Sequence, residues 1–302
     1  MATVAVHHLH KSYNGKPAVR DLSFSVAPGE MLGLIGPNGA GKSSTIKMIL
    51  DFMRPDSGEI EIFGHQMSDA TKNRIGYLPE EKGLYKKLRA LDQIIYLASL
   101  KGMDKAMASE RANALLRRTG MFDSRRKKIK EMSKGMGQMI QLIVTIVHNP
   151  ELVILDEPFS GLDPVNTELL KDIVADLRDE GKAVILSTHQ MNQVEEMCDR
   201  VLMINHGSAV LYDGMPEIRK KFRKKTLMVD VEGELPDVPG VVGSVPHREA
   251  TELILAPETT PQRVLDQLRE RGASINRFEI TTPTLHDIFI KLAGEPTGEN
   301  NE

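Results

Sequence analysis

The stretch Gly36-Pro37-Asn38-Gly39-Ala40-Gly41-Lys42-Ser43 fits the phosphate-binding pattern G-x-x-x-x-G-K-[ST]. It follows an apolar run, Met31 to Ile35, and precedes a stretch, Ser43 to Phe52, that places Ile46, Ile49 and Leu50 on one helical side. Glycines let successive backbone N–H groups turn inward around phosphate oxygens. A helix starting near Lys42 adds the positive end of its dipole. Lys42 places a point charge on the β- and γ-phosphates, and the Ser43 hydroxyl can ligate Mg²⁺. Gly36, Asn38, Gly39, Ala40, Gly41, Lys42, Ser43 and Ser44 are therefore the expected nucleotide-binding residues.

A second group is Leu152-Val153-Ile154-Leu155-Asp156-Glu157. The apolar residues read as a buried strand, and the two carboxylates emerge at its C-terminal end, where open α/β sheets bind ligands. Asp156 is suited to hold Mg²⁺ and Glu157 to polarise an attacking water. Together the two groups predict an ATPase that requires ATP and Mg²⁺, with Lys42 and Glu157 in catalytic roles.

Those residues need a frame. Met31 to Ile35, Leu152 to Leu155 and Ala183 to Ser187 are short, continuously apolar runs, and a helical stretch, Asn166 to Arg178, separates the last two. Strand, helix, strand with such runs signals a parallel sheet. Val4 to Leu9 and Asp21 to Val26 alternate as half-buried strands do, with breaks at Gly15-Lys16-Pro17 and Pro28-Gly29, and a strand pair is expected at Glu59 to Phe63. From Leu88 to Glu131 the chain is rich in Ala, Leu, Met, Lys and Arg and lacks Pro, which predicts an inserted helical subdomain at about residues 88–135. The basic run Arg125-Arg126-Lys127-Lys128 reads as a solvated helix end or loop, with a lipid-headgroup or partner contact as the alternative. After Gly214 a charged connector, Arg219 to Lys225, leads into strand-like Leu227 to Val231 and Glu252 to Leu255, a helix Pro261 to Arg271, a strand Ser274 to Ile280 and a helix Thr284 to Leu292. The expected organisation is an ATP-binding domain over 1–215, a small α+β unit over 216–294 and a disordered tail over 295–302.

Composition excludes several classes. The 302 residues carry 39 Lys and Arg against 42 Asp and Glu, a net charge of -3, so no long polyanion is expected as ligand. With no Trp and 4% aromatics, a base-stacking platform is not expected. The single cysteine, Cys198, cannot pair within the chain, which predicts a reducing compartment. No apolar run approaches the roughly 18 residues that cross a bilayer, and no signal peptide is read at the N-terminus. The expectation is a cytoplasmic protein whose membrane role comes through a partner. His7, His8 and His10 have no Cys or carboxylate at ligand spacing, so they are not read as a metal site, and Met132, Met136 and Met139 read as packing.

The motifs between and after these groups carry a resemblance. Met132-Ser133-Lys134-Gly135-Met136-Gly137-Gln138 resembles the signature of ABC-type ATPases, Ser160-Gly161-Leu162-Asp163 their D-loop, and Ser187-Thr188-His189 their switch histidine. Tyr13 lies where that family stacks an aromatic on adenine. Residues from about Val4 to Met215 are thus similar to an ABC transporter ATP-binding subunit. The resemblance implies a P-loop NTPase core of the α/β class with a parallel sheet, an antiparallel β subdomain and an inserted helical subdomain. It makes His189 catalytic and has Ser133, Gly135 and Asp163 act in trans on the nucleotide of a second copy. Two departures stand out. Lys134 takes a position usually held by Gly, where it reaches a phosphate or faces solvent, the latter being preferred. Glu80, in Pro79-Glu80-Glu81, replaces the usual Gln, where it binds Mg²⁺ through water or points to solvent. The Pro-Glu-Glu-x-Gly-Leu-Tyr and Ser-Lys-Gly variants point to export-type subunits. The implied partners are a second copy or a paralogous ATPase subunit and a multi-span membrane permease, which holds the chain on the inner face of the cell membrane. The alternative, a soluble ABC-type ATPase acting on ribosomes or DNA, usually carries two motif sets or a long coiled coil, neither of which is read here.

Overall fold

The core of the larger unit is built on strands that are apolar on both faces. A computed structural model describes residues 1–81, 83–222, 226–281 and 283–294. Arg223 to Lys225 of the charged connector and the expected disordered tail, 295–302, lie outside the described residues. The chain divides into two compact units, Met1–Met215 and Pro216–Glu302. In chain order the first holds β1 (Val4–Tyr13), β2 (Lys16–Val26), β3 (Met31–Ile35), α1 (Lys42–Ile49), β4 (Ser57–Ile62), α2 (Asp69–Lys72) and β5 (Ile75–Leu78). There follow α3 (Ala90–Leu100), α4 (Lys105–Arg118), α5 (Lys134–Ile146), β6 (Leu152–Asp156), α6 (Pro164–Asp179), β7 (Ala183–Thr188), α7 (Met191–Met197), β8 (Arg200–Asn205) and β9 (Ser208–Gly214).

The main sheet runs β5-β6-β7-β3-β8-β9, parallel throughout except for β9, which turns back antiparallel on β8. Every residue of β3, β6 and β7 is buried, as a sheet covered on both faces requires. Register fixes the edge that matters: Asp156 stands opposite Ser187, and Ile35 opposite Thr188. The loops after β3, β6 and β7 therefore leave the sheet side by side. A second, antiparallel sheet, β2-β1-β4, contributes Val4, Val6, Leu22, Phe24, Val26 and Ile62 to the same apolar core as Leu32, Leu34, Ile154 and Ile185.

The inserted helical segment packs Ile94 and Ala98 of α3 with Ala108, Ala112 and Leu116 of α4, all fully buried. Lys101, at the end of α3, donates to the carbonyls of Lys72 (2.7 Å) and Ile75 (3.3 Å), and burial lowers its pKa.

Several expectations are corrected. The segment at Glu59 to Phe63 is one strand, β4, paired with β1, because β1 already offers its second edge there. α1 stops at Ile49 instead of Phe52, since Asp51 adopts a left-handed backbone with φ 59°. The break at Gly15-Lys16-Pro17 reduces to a two-residue turn, so β1 and β2 run on to meet it. Strands β5, β8 and β9 are additional.

In the second unit α8 (Met215–Lys221) leads into β10 (Thr226–Val231), β11 (Val241–Pro246), β12 (Thr251–Leu255), α9 (Pro261–Glu270), β13 (Ile275–Thr281) and α10 (Leu285–Gly294). Its sheet, β11-β12-β10-β13, is antiparallel, and Val264 and Leu268 of α9 close one face over Leu227, Val229, Leu253 and Leu255.

Close approach of β5 to α5 depends on Gly76: a Cβ there would stand 2.4 Å from the Thr145 carbonyl oxygen and 3.0 Å from Pro150 Cγ. Gly76→Ala should therefore cost about 1–3 kcal/mol of stability through overpacking. Urea unfolding will show a lowered midpoint; an unchanged midpoint would contradict this packing.

Candidate active site

Two glycines set the loop between β3 and α1. Gly36 has φ 150° and Gly41 φ 113°, and a Cβ would lie 2.1 Å from the Ile204 carbonyl oxygen at the first and 2.4 Å from that of Ala18 at the second. Only glycine fits either position. The loop thus wraps tightly and delivers Lys42 into the first turn of α1, where Lys42 is 7% exposed. Its Nζ donates to the carbonyls of Gly36 (2.6 Å) and Pro37 (3.1 Å). Residues 38–44 form one wall of a cleft of about 230 Å³, and Glu80, Asp156, Glu157 and His189 face them.

The carboxylates are held by the neighbouring strand. Ser187 Oγ donates to Asp156 Oδ1 (2.8 Å). The chain turns sharply at Glu157, with φ 49°, and its N–H donates to the Ser187 carbonyl (2.8 Å). One oxygen of the Glu157 carboxylate accepts from Thr188 Oγ1 (3.1 Å); the other accepts from the His189 N–H (3.0 Å) and lies 2.8 Å from His189 Nδ1. Glu157 is 8% exposed, whereas the His189 imidazole is 60% exposed. Glu157 is therefore a fixed, nearly dry carboxylate beside an open imidazole.

Charge in the cleft is unbalanced. Burial raises the Asp156 pKa, the bond from Ser187 opposes this, Glu80 and Glu157 raise it further, and Lys42 opposes. Burial lowers the Lys42 pKa against the pull of Glu157, Asp156 and Glu80. Three carboxylates thus face one lysine, an excess of negative charge that a bound cation would offset. Ser43, Asp156 and Glu80 offer hard oxygen donors of the kind Mg²⁺ takes.

Not every expected residue lines the cleft. The hydroxyl of Tyr13, a residue 42% exposed, donates to Met53 Sδ (2.8 Å) and lies 3.3 Å from Ser44 Oγ, which ties it to the rim. Ser133, Gly135 and Asp163 lie outside the cleft lining of their own chain. Ser133 caps α5, accepting from the Met136 N–H (3.2 Å). Asp163 caps α6, accepting from the Asn166 N–H (3.0 Å) and side-chain amide (2.6 Å), and the first of these bonds leads in holding its carboxyl below the usual range.

Lys134 is exposed, as the preferred reading has it, and its stem runs across Gly161, with Cδ, Cε and Nζ 2.4–2.7 Å from where a Cβ would sit. On the same helix Gln138 Nε2 donates to the Pro158 carbonyl (3.1 Å), and Gln141 Nε2 donates to those of Pro79 (2.9 Å) and Glu81 (3.3 Å), on either side of Glu80. Sequence reasoning did not find Ala18 in the lining, nor the holding roles of Ser187 and Thr188; strand register carries that information.

Comparison with known proteins agrees with this arrangement. Residues 19–160 match the ABC transporter family, and residues 215–293 match the family described as ATP-binding protein DrrA1-3-like, C-terminal domain. The chain is 39% identical over 294 residues to the ABC transporter ATP-binding protein YhaQ of Bacillus subtilis, covering 96% of this chain and 98% of that one. It is 29% identical over 306 residues to the daunorubicin/doxorubicin resistance ATP-binding protein DrrA of Streptomyces peucetius, covering 97% and 93%. A solved ATP-binding subunit of an ABC transporter superposes with a TM-score of 0.69 at 31% identity, over 73% of this chain and 93% of that one. Site, fold and relatives converge, and the chain belongs to the family of ABC transporter ATP-binding proteins, which bind and hydrolyse ATP.

Proposed function

We propose that this chain is the ATP-hydrolysing subunit of an export-type ABC transporter, which closes head to tail on ATP with a second copy or a paralogous subunit and drives a separate multi-span permease. The observation that carries the reading is the clamp on Glu157, set across one cleft from the Lys42 loop. Loop N–H groups and Lys42 bind the triphosphate. Tyr13, beside Ser44, takes the adenine. Glu157 orients and deprotonates the attacking water, and His189 holds that carboxylate and faces the γ-phosphate. Ser43, Asp156 and Glu80 would hold Mg²⁺, which would supply positive charge to the phosphate oxygens. Ser133, Gly135 and Asp163, outside their own cleft, serve the partner's nucleotide.

Among the described residues no helix is long and apolar enough to cross a membrane, which supports a permease partner. Exposed Phe52, edge-on to Tyr77 of β5 just ahead of the Glu80 loop, offers that partner an apolar contact. Export is supported by the likeness to the daunorubicin/doxorubicin resistance protein DrrA and by the match of residues 215–293 to the DrrA1-3-like C-terminal domain. In this reading the permease holds the subunit on the inner face of the cell membrane.

Glu157→Gln keeps size and removes the base. Hydrolysis at saturating ATP should fall by roughly 10²–10⁴-fold while ATP affinity stays near wild type; turnover near the wild-type rate would contradict the assignment. Glu80→Gln removes one negative charge from the cleft. A titration of ATPase rate against Mg²⁺ should show a shifted midpoint, and an unmoved curve would place Glu80 outside the metal's surroundings.

A further inference from the structure

The helical insert carries a concentrated basic surface that ATP chemistry does not use. Two segments, 86–91 and 125–130, are zipped antiparallel by backbone bonds: Lys130 N–H to Lys86 O (3.0 Å), Ile129 N–H to Leu88 O (3.0 Å), Ala90 N–H to Lys127 O (3.1 Å) and Leu91 N–H to Arg125 O (3.0 Å), with Arg89 and Lys128 bridged between them. This pairing joins two runs that contain no Asp or Glu and hold eight of the chain's 39 Lys and Arg, leaving 31 against 42 acidic residues elsewhere. One run contributes Lys86, Lys87 and Arg89 and the other Arg126, Lys127, Lys128 and Lys130, all exposed. Arg125 is occupied with Phe122, over whose ring it sits at 3.8 Å. The neighbouring Glu131 carboxylate accepts from the Lys128 backbone N–H (3.1 Å).

Among the described residues none of the seven exposed cations forms an ion pair. Like charges placed across a strand pair, as Arg89 and Lys128 are, weaken the pairing. The patch therefore works against the fold's own stability and calls for an anionic partner. Leu88, 38% exposed, stands between Lys87 and Arg89, and Tyr85, 52% exposed, sits just before the first run. Apolar tips set among long cationic stems are the composition of a surface that meets lipid headgroups.

We infer that this paired basic surface contacts the anionic headgroups of the bilayer. The inference builds on the proposed permease partnership, which would hold the chain beside a membrane, but its test needs neither permease nor ATP. Purified full-length chain is sedimented with vesicles of phosphatidylcholine alone, or with one-third phosphatidylglycerol, at low and high salt. Wild type should bind the phosphatidylglycerol vesicles, release them in high salt and ignore pure phosphatidylcholine. The variant Lys86→Gln, Lys87→Gln, Lys127→Gln, Lys128→Gln should bind at least about tenfold more weakly, since each cation at an anionic surface contributes roughly a factor of five. Its ATPase rate should equal wild type, which reports a folded chain. A control variant, Lys16→Gln, Lys47→Gln, Lys105→Gln, Lys220→Gln, removes as much charge elsewhere and should bind as wild type does.

No preference for phosphatidylglycerol, an equal loss in both variants, or binding of a short RNA or DNA duplex without binding of vesicles would each overturn the inference. Vesicle binding in a chain whose ATPase ignores any permease would sink the transporter reading and leave this one standing.

Discussion

Lys42 and the buried acids Asp156 and Glu157 share one cleft with Glu80, and the rest of the ATP-binding unit follows from the need to keep them there. Three carboxylates close to one lysine repel one another, and burial raises that cost for Asp156 while it lowers the Lys42 pKa. The arrangement persists because the acids are bonded from the side: Ser187 holds Asp156, and Thr188 with the His189 N–H holds Glu157. Those donors come from the end of β7, the strand between β6 and β3 in the sheet. A sheet buried on both faces supplies rigidity, and parallel register brings the β3, β6 and β7 ends to a common edge. In the proposed function the same excess of negative charge is what a magnesium ion bound with the triphosphate would offset.

Helix α5 connects this site to its surroundings. Its first residues carry the signature Ser133 and Gly135, Lys134 lies over Gly161 of the D-loop, and Gln138 ties the same helix to Pro158 beside Glu157. One turn further on, Gln141 holds the loop around Glu80. In the proposed reading the signature acts on one nucleotide and Glu80 senses another, so a single helix joins the two. The Lys134 substitution fits this role: its stem packs on the D-loop glycine, which has no Cβ to exclude it.

Much of this was legible in the chain. The phosphate loop declares itself because its chemistry demands glycine and lysine at fixed positions, and the runs ending at Ile35, Leu155 and Ser187 declare themselves because both faces of those strands are buried. What escaped was set by contact rather than pattern. β5 has four residues, one of them Gly76, too few to show a period. The polar ends of β1 and β2 pair with one another rather than with the core, so no alternation marks them. That Ser187 and Thr188 grip the acids follows from register between β6 and β7, and that Lys134 folds over Gly161 from a neighbour twenty-seven positions away. Sequence periodicity reports burial; it does not report which strand lies next door.

The proposed function divides the labour: Lys42 and its cleft bind the nucleotide within one chain, and Ser133 completes the site from a second copy. The measurement that tests this most directly is molar mass by light scattering, with ATP binding followed in parallel, on Glu157→Gln alone and with Ser133→Arg added. Glu157→Gln should double its mass with ATP and Mg²⁺, and adding Ser133→Arg should keep the chain monomeric while ATP still binds to the Lys42 cleft. Dimers that form regardless of Ser133→Arg, or ATP binding that vanishes with it, would contradict the account.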